Sequence, residues 1–345
     1  MYNGIFTISL DFELYWGVLD SKPLNLYKNN ILGAHRAVEK LLKLFERYDI
    51  HVTWAILGYL YFEDFDELER GMPPMLPTYE ESSFSSYEYF DRLRKLDSRL
   101  LFAKEDIVKI KNTAFQEIGS HTFSHYYCLE KGQNKEQFLS DIFYAKKKAK
   151  EIGVDLKSIV FPRDQYSKEC LVILKKLGFI AYRGNPKSFI YAPRDQKNKQ
   201  NILRKTLLFA DSHINLTGYH CRDIDPLKTP TDIPSSRFLR PVSNNPVLNV
   251  LRLKRIKAQM AYAAKNRRLF HLWWHPHNFG VKTEENLKFL EDILIFYKEM
   301  QRKYNMLSLS MKEAAVYARE FAGKREEELK GYGYGKDSWV LGLSK

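Results

Sequence analysis

The stretch Glu117-Ile118-Gly119-Ser120-His121-Thr122-Phe123-Ser124-His125 carries two histidines four residues apart, directly after a short strand-like run. An H-x-x-x-H in that position can put two imidazoles on one side of a turn. Two neutral imidazoles and one carboxylate from elsewhere make an open divalent-metal site, with a position left for water. Two further segments could complete it: Ser9-Leu10-Asp11-Phe12-Glu13, and Trp273-Trp274-His275-Pro276-His277-Asn278 far downstream.

Outward from the histidine pair, strands and helices alternate. Ile5 to Leu10, His51 to Leu57, Lys157 to Phe161, Phe179 to Tyr182 and Arg268 to Trp274 read as strands, and Met306 to Leu309 leads into a final helix. Ala34 to Tyr48 has apolar residues at helical spacing, and Gln137 to Ile152 is amphipathic. Ser167 to Leu177 stops at Gly178, a helix C-terminal glycine. Thr283 to Arg302 is a long helix, and Ser310 with Glu313 three residues on forms a capping-box pattern for a last one. Such alternation favours a parallel sheet with right-handed crossovers, either an open α/β sheet or a β/α barrel.

Two stretches break the rhythm. Residues 63–106 are acidic and proline-bearing, as expected of a lid-like insertion over the strand ends. Residues 187–246 read as irregular. The expected organisation is one catalytic domain over 1–322, followed by a charged, Gly- and Tyr-containing tail at 323–345.

The net charge of +13 favours an anionic partner, either a phosphorylated or acidic substrate or a membrane surface. The basic residues are spread along helices, and no zinc-finger, helix-turn-helix or RNA-binding aromatic signature accompanies them, which argues against nucleic acid. Cys128, Cys170 and Cys221 are odd in number and far apart, which fits a reducing compartment and neither a disulfide framework nor a thiolate cluster. The first eleven residues have no basic n-region and no apolar h-region, so the expected location is cytoplasmic, with peripheral membrane contact left open.

Each chemically able residue falls at the C-terminal end of an expected strand: Asp11 and Glu13, then His121 and His125, then Arg163 and Asp164, then His275 and His277. That edge is where sites assemble in barrels and in open α/β sheets alike. Any one of these has an ordinary explanation, such as a strand emerging into solvent, a surface ion pair or a satisfied turn. Their coincidence at four strand ends points to one pocket.

In their order, Ser9-Leu10-Asp11-Phe12-Glu13, Ser120-His121-Thr122-Phe123-Ser124-His125, Phe161-Pro162-Arg163 and Trp274-His275-Pro276-His277 resemble the motifs of the polysaccharide deacetylases, carbohydrate esterase family 4. Thr53-Trp54-Ala55 is similar to the family's second strand. The resemblance implies a distorted (β/α) barrel of seven strands and metal-dependent removal of acetyl groups from N-acetylated sugars, commonly with zinc. It implies that His121 and His125 bind the metal, that Asp11 is the catalytic base, that Arg163 holds that base, and that His275 is the general acid, with His277 its rival. The first motif departs from the family's adjacent aspartates: Phe12 stands where the second is usual, leaving Glu13 as the candidate third ligand.

Trp16, Trp274 and His277 are candidates to contact the sugar. The resemblance further implies an intermediate of surface polysaccharide synthesis (O-antigen or capsule), nucleotide-linked or lipid-linked. A deformylase or ring-amide amidohydrolase on the same fold, and a non-catalytic carbohydrate-binding relative, are the alternatives.

Overall fold

The computed structural model describes residues 2–188, 190–192 and 202–331. The expected tail beyond 331, and part of the segment expected to be irregular, lie outside them.

Among the described residues, nine strands form one parallel sheet: β1 (Ile5–Phe12), β2 (Val52–Ile56), β3 (Gln116–Ser120), β4 (Ser158–Ile159), β5 (Ala181–Tyr182), β6 (Thr231–Asp232), β7 (Arg237–Phe238), β8 (Leu269–Trp274) and β9 (Leu307–Ser308). Their order is β6-β5-β4-β3-β2-β1-β8-β7, and β9 pairs with the start of β1. The sheet curls into a distorted barrel. Residues 233–236 run from one edge to the other, with Ser235 N–H donating to the Gly184 carbonyl and Ser236 N–H to that of His271. Nine strands rather than the expected seven arise because β6 and β7 are two short pieces of one bent segment, and because β9 is added at the base. The segment expected to be irregular also contains a helix, Ile202–Asp211.

Strand alternation sorts side chains to two faces. Phe6, Ile8, Leu10 and Phe12 of β1 join Trp54 and Trp274 under the outer helices Leu24–Arg47 and Thr283–Tyr304, where Phe45 packs edge-on to Trp54. Each such buried aromatic contributes about 1.5–3 kcal/mol. The odd residues face inwards. At the base, Ile5, Ala55 and Leu269 pack on Met311 and Ala314 of the last helix, which therefore plugs the barrel. The expected capping box is present there: Ser310 N–H donates to the Glu313 carboxylate (2.9 Å) and Glu313 N–H to Ser310 Oγ (3.3 Å). Towards the C-terminal ends, the inner face turns polar with Ser9, Asp11 and His271.

The segment 63–106 follows β2 and is pinned by aromatics. Phe65, Phe90 and Phe102 enter the core, and Trp16 packs on Tyr59 while donating Nε1–H to the Leu101 carbonyl at 2.7 Å. No helix among the described residues is long and apolar enough to cross a membrane.

Candidate metal centre and its surroundings

Because β1 alternates, Phe12 goes to the helix side, against Trp54, and the residues on either side of it share the inner face. This is the physical reason for the Asp-Phe-Glu spacing. The strand ends at Phe12, Leu14 turns back at φ +50°, and Glu13 swings over the top of the sheet. Gly17 makes room for it: a Cβ there would lie 1.9 Å from the Glu13 carboxyl carbon.

The histidine turn is built as tightly. His121 N–H continues the ladder to the Ile56 carbonyl, and Thr122 and His125 then adopt φ +64°. Left-handed backbone at non-glycine residues costs about 1–3 kcal/mol each and clusters at functional sites. Asp141 anchors the turn, its carboxylate accepting Phe123 N–H (2.7 Å), Ser124 N–H (3.0 Å) and the Ser124 hydroxyl.

Glu13 Oε2 lies 3.1 Å from His121 Nε2 and 3.1 Å from His125 Nε2, and all three side chains are buried. His121 Nδ1 is 3.0 Å from the Val160 carbonyl, which can only accept, so Nδ1 carries a proton and Nε2 is the atom turned towards Glu13 and available to a metal. His125 Nδ1 meets the Tyr127 hydroxyl at 2.9 Å, a contact that orients Nε2 in the same direction. Burial pushes the His125 imidazole down, towards the neutral form a metal requires. Burial would raise Glu13, but His275, His121 and His125 around it outweigh that and hold its carboxyl well below the usual range. Two imidazoles and one carboxylate fit a divalent ion of the zinc type.

Beside this trio, Arg183 forks onto Asp11, with Nη1 to Oδ1 at 2.6 Å and Nη2 to Oδ2 at 2.8 Å. It also donates to Ser9 Oγ (3.1 Å) and Asp164 Oδ1 (3.0 Å), and its guanidinium lies 4.0 Å over the Trp273 ring. Burial would raise Asp11, yet Arg183, with His121 and His275, keeps its carboxyl below the ordinary value. His275 Nε2 lies 3.4 Å from Glu13 Oε1 and 3.8 Å from Asp11 Oδ2.

Residues 29–182 match the family model of the polysaccharide deacetylases, a span that includes His121 and His125. Over that span, less than half of its length, the chain is similar to the polysaccharide deacetylases. A Mycobacterium smegmatis structure assigned to the polysaccharide deacetylases superposes with a TM-score of 0.58 at 12% identity, covering 93% of this chain and 92% of that one. A Pseudomonas aeruginosa PAO1 structure with the same assignment gives 0.55 at 10% identity, covering 91% and 90%. At such identities the likeness establishes the fold. A search of curated proteins finds no match.

Within this deacetylase fold the arginine expected at Asp11 is a different one. Arg163 sits in the turn Pro162–Asp164 at φ +55°, pairs with Asp20 and lies 4.0 Å over the Tyr127 ring, so it backs the His125 side of the centre. Arg183 was missed, although it follows β5 directly and obeys the strand-end rule that selected the others. His271 was missed too: it bonds Ser9 Oγ at 2.9 Å and thereby supports Arg183. The aromatic expectations also change. Trp16 and Trp274 are core residues, 2% and 0% exposed, and the tryptophan beside the site is Trp273. His277 is buried behind His275, stacked on it at 4.8 Å, and burial pushes it down to about 3.

The Asp141 anchor can be tested. Asp141→Ala strands two buried N–H groups, so it is expected to weaken metal affinity about 10- to 100-fold and to destabilise the fold by about 2–4 kcal/mol. Metal titration and denaturant melts would check both, and unchanged metal affinity would refute the anchoring role.

Proposed function

We propose that the protein is a divalent-metal-dependent hydrolase that removes the acetyl group from an N-acetylated amino sugar, an intermediate of surface polysaccharide synthesis carried on a nucleotide or lipid. The family match supports hydrolytic deacetylation in general. The observation that carries the finer reading is the convergence of Glu13, His121 and His125 beside an arginine-held Asp11 and a partly exposed His275.

Glu13, His121 and His125 would hold the ion, which when bound polarises the acyl carbonyl and lowers the pKa of a water from 15.7 towards about 7. Arg183 keeps Asp11 ionised, so Asp11 accepts the proton that water loses as its oxygen bonds the acyl carbon. His275 then gives a proton to the sugar nitrogen as the C–N bond breaks, because an amine anion is too basic to leave. The products are acetate and the free amino sugar. His277, pushed down to about 3, is neutral at pH 7 and cannot serve as that acid.

The test is acetate release by zinc-loaded protein from a panel of N-acetylated, N-formylated and ureide substrates. His275→Ala is expected to lower kcat by about 100- to 10,000-fold with KM little changed. Release of formate alone would replace the deacetylase reading with a deformylase. Sugar binding without turnover in metal-loaded protein would replace it with a binding protein.

A further inference from the structure

A cavity of about 220 Å³ lies next to the candidate centre and shares two walls with it, Asp164 and Trp273. Trp273 touches both halves of the chemistry, lying 4.0 Å under the Arg183 guanidinium and 5.7 Å from the His275 ring. Asp164, a carboxylate on this wall, is already paired with Arg183. The far wall is basic, with Arg204, Arg237 and Arg240 lining it.

Among the described residues the charge there does not balance. Arg237 and, behind it, Arg255 share one buried carboxylate, Asp211, at 3.0 and 3.6 Å. Asp211 is otherwise committed to Tyr191 Oη–H and to the Leu216 and Thr217 N–H groups. Arg237 is 4% exposed, and its Nη2 is buried with no hydrogen-bond partner among the described residues. Arg240 makes no hydrogen bond or ion pair through its side chain among the described residues, and its guanidinium lies only loosely, 5.8 Å, over the Phe209 ring. Arg252 behind it donates through Nη1 and Nη2 to carbonyls and Asn249 and pairs with no anion among the described residues. Burial and then Arg240 push Arg252 down to about 10, and burial and then Arg237 push Arg255 to about 10. Buried cations gathered around one carboxylate are costly, and an anion entering the cavity would relieve that cost.

We propose that this cavity is a phosphoryl-binding subsite, in which Arg240 and Arg237 hold a phosphate group attached to the acylamino sugar whose amide lies at the Glu13, His121 and His125 centre. Guanidinium forks suit phosphate oxygens, and a single charge-assisted pair of this kind changes affinity about 10- to 100-fold. The position of the subsite makes the phosphate a recognition handle, bound alike before and during hydrolysis, so its loss raises KM and leaves kcat nearly unchanged. This inference rests on the deacetylase reading for the identity of the sugar, not for the phosphate.

Two measurements test it separately from that reading. In the first, inorganic phosphate and pyrophosphate are titrated by calorimetry into zinc-loaded wild type, R240Q and R240K, and into H121A, which lacks the metal. Binding should weaken at least 10-fold in R240Q, weaken less in R240K, which keeps the charge but not the fork, and persist in H121A. Equal binding by R240Q, or loss only in H121A, overturns the subsite.

In the second, kcat/KM is compared for N-acetylglucosamine, its 1-phosphate, its UDP-linked form and its polyprenyl-phosphate-linked form. A preference of at least 10-fold for any phosphorylated form, erased in R240Q through KM, supports the subsite and identifies the carrier. Equal use of the free sugar overturns it. If none of the four is hydrolysed, the deacetylase reading fails for these sugars, and the calorimetry still decides the subsite.

Discussion

Purified His121→Ala is expected to bind no stoichiometric divalent ion and to lose hydrolysis by about 1,000-fold or more. The Glu13, His121 and His125 donors converge from two strand ends, and removing one leaves a two-donor remnant. Polarisation of the acyl carbonyl by the ion is worth several kcal/mol, and each 1.36 kcal/mol is tenfold in rate. Loss through misfolding is separable from loss of the ligand. Wild type stripped by a chelator should lose activity and regain it on adding zinc, whereas folded His121→Ala should not regain it. Metal-free wild type with full activity would end the metal-dependent reading.

Arg183→Met should be the most destabilising single change in the site, by about 3–5 kcal/mol, because it leaves the Asp11 carboxylate buried without its partner. The pH dependence follows from the direction of the shift. In the native protein Asp11 lies below its unfolded value, so its contribution to stability is fully present above about pH 3.9 and is lost as pH falls through the folded value. Without Arg183, burial dominates and raises Asp11, so the sign inverts. The variant's deficit then grows as pH rises through the raised value and shrinks towards pH 4. The acid limb of kcat/KM should move upward with it. Arg163→Met, which loses the Asp20 pair and the Tyr127 contact, should leave that limb in place. Denaturant midpoints and pH–rate profiles of the two variants decide between the arginines. A shifted limb in Arg163→Met alone would reverse the assignment.

Much of this site was legible because its determinants are local. Two residues apart on a strand means one face, so Asp11 and Glu13 could be paired from the sequence, and Phe12 between them could be read as a departure rather than a gap. The histidine pair after β3 was legible for the same reason. What was not legible in the sequence was support from outside the strand: Asp141, 16 residues beyond His125, anchors the turn, and Gly17 clears space for Glu13. The short strands β6 and β7 escaped because Pro230 and Pro234 flank the first and no apolar run marks either, so the stretch read as irregular.

The choice between the arginines shows where local information ends. Arg163 and Arg183 both follow short strands, and nothing in either neighbourhood tells which one reaches Asp11. In a flat sheet, β5 would lie four strand spacings from β1, about 19 Å at roughly 4.8 Å each, beyond the reach of any side chain. Curling brings the end of β5 across the interior to the end of β1, and the turn at Arg163 sends that side chain out to Asp20 instead. The sequence by itself determined the parallel α/β alternation and the placing of Asp11, Glu13, His121 and His125 at strand ends, since both follow from local pattern along the chain. Tertiary structure decided that Arg183 holds Asp11, that Trp273 and not Trp274 borders the site, and that uncompensated arginines stand beside it, because those depend on how far the sheet bends.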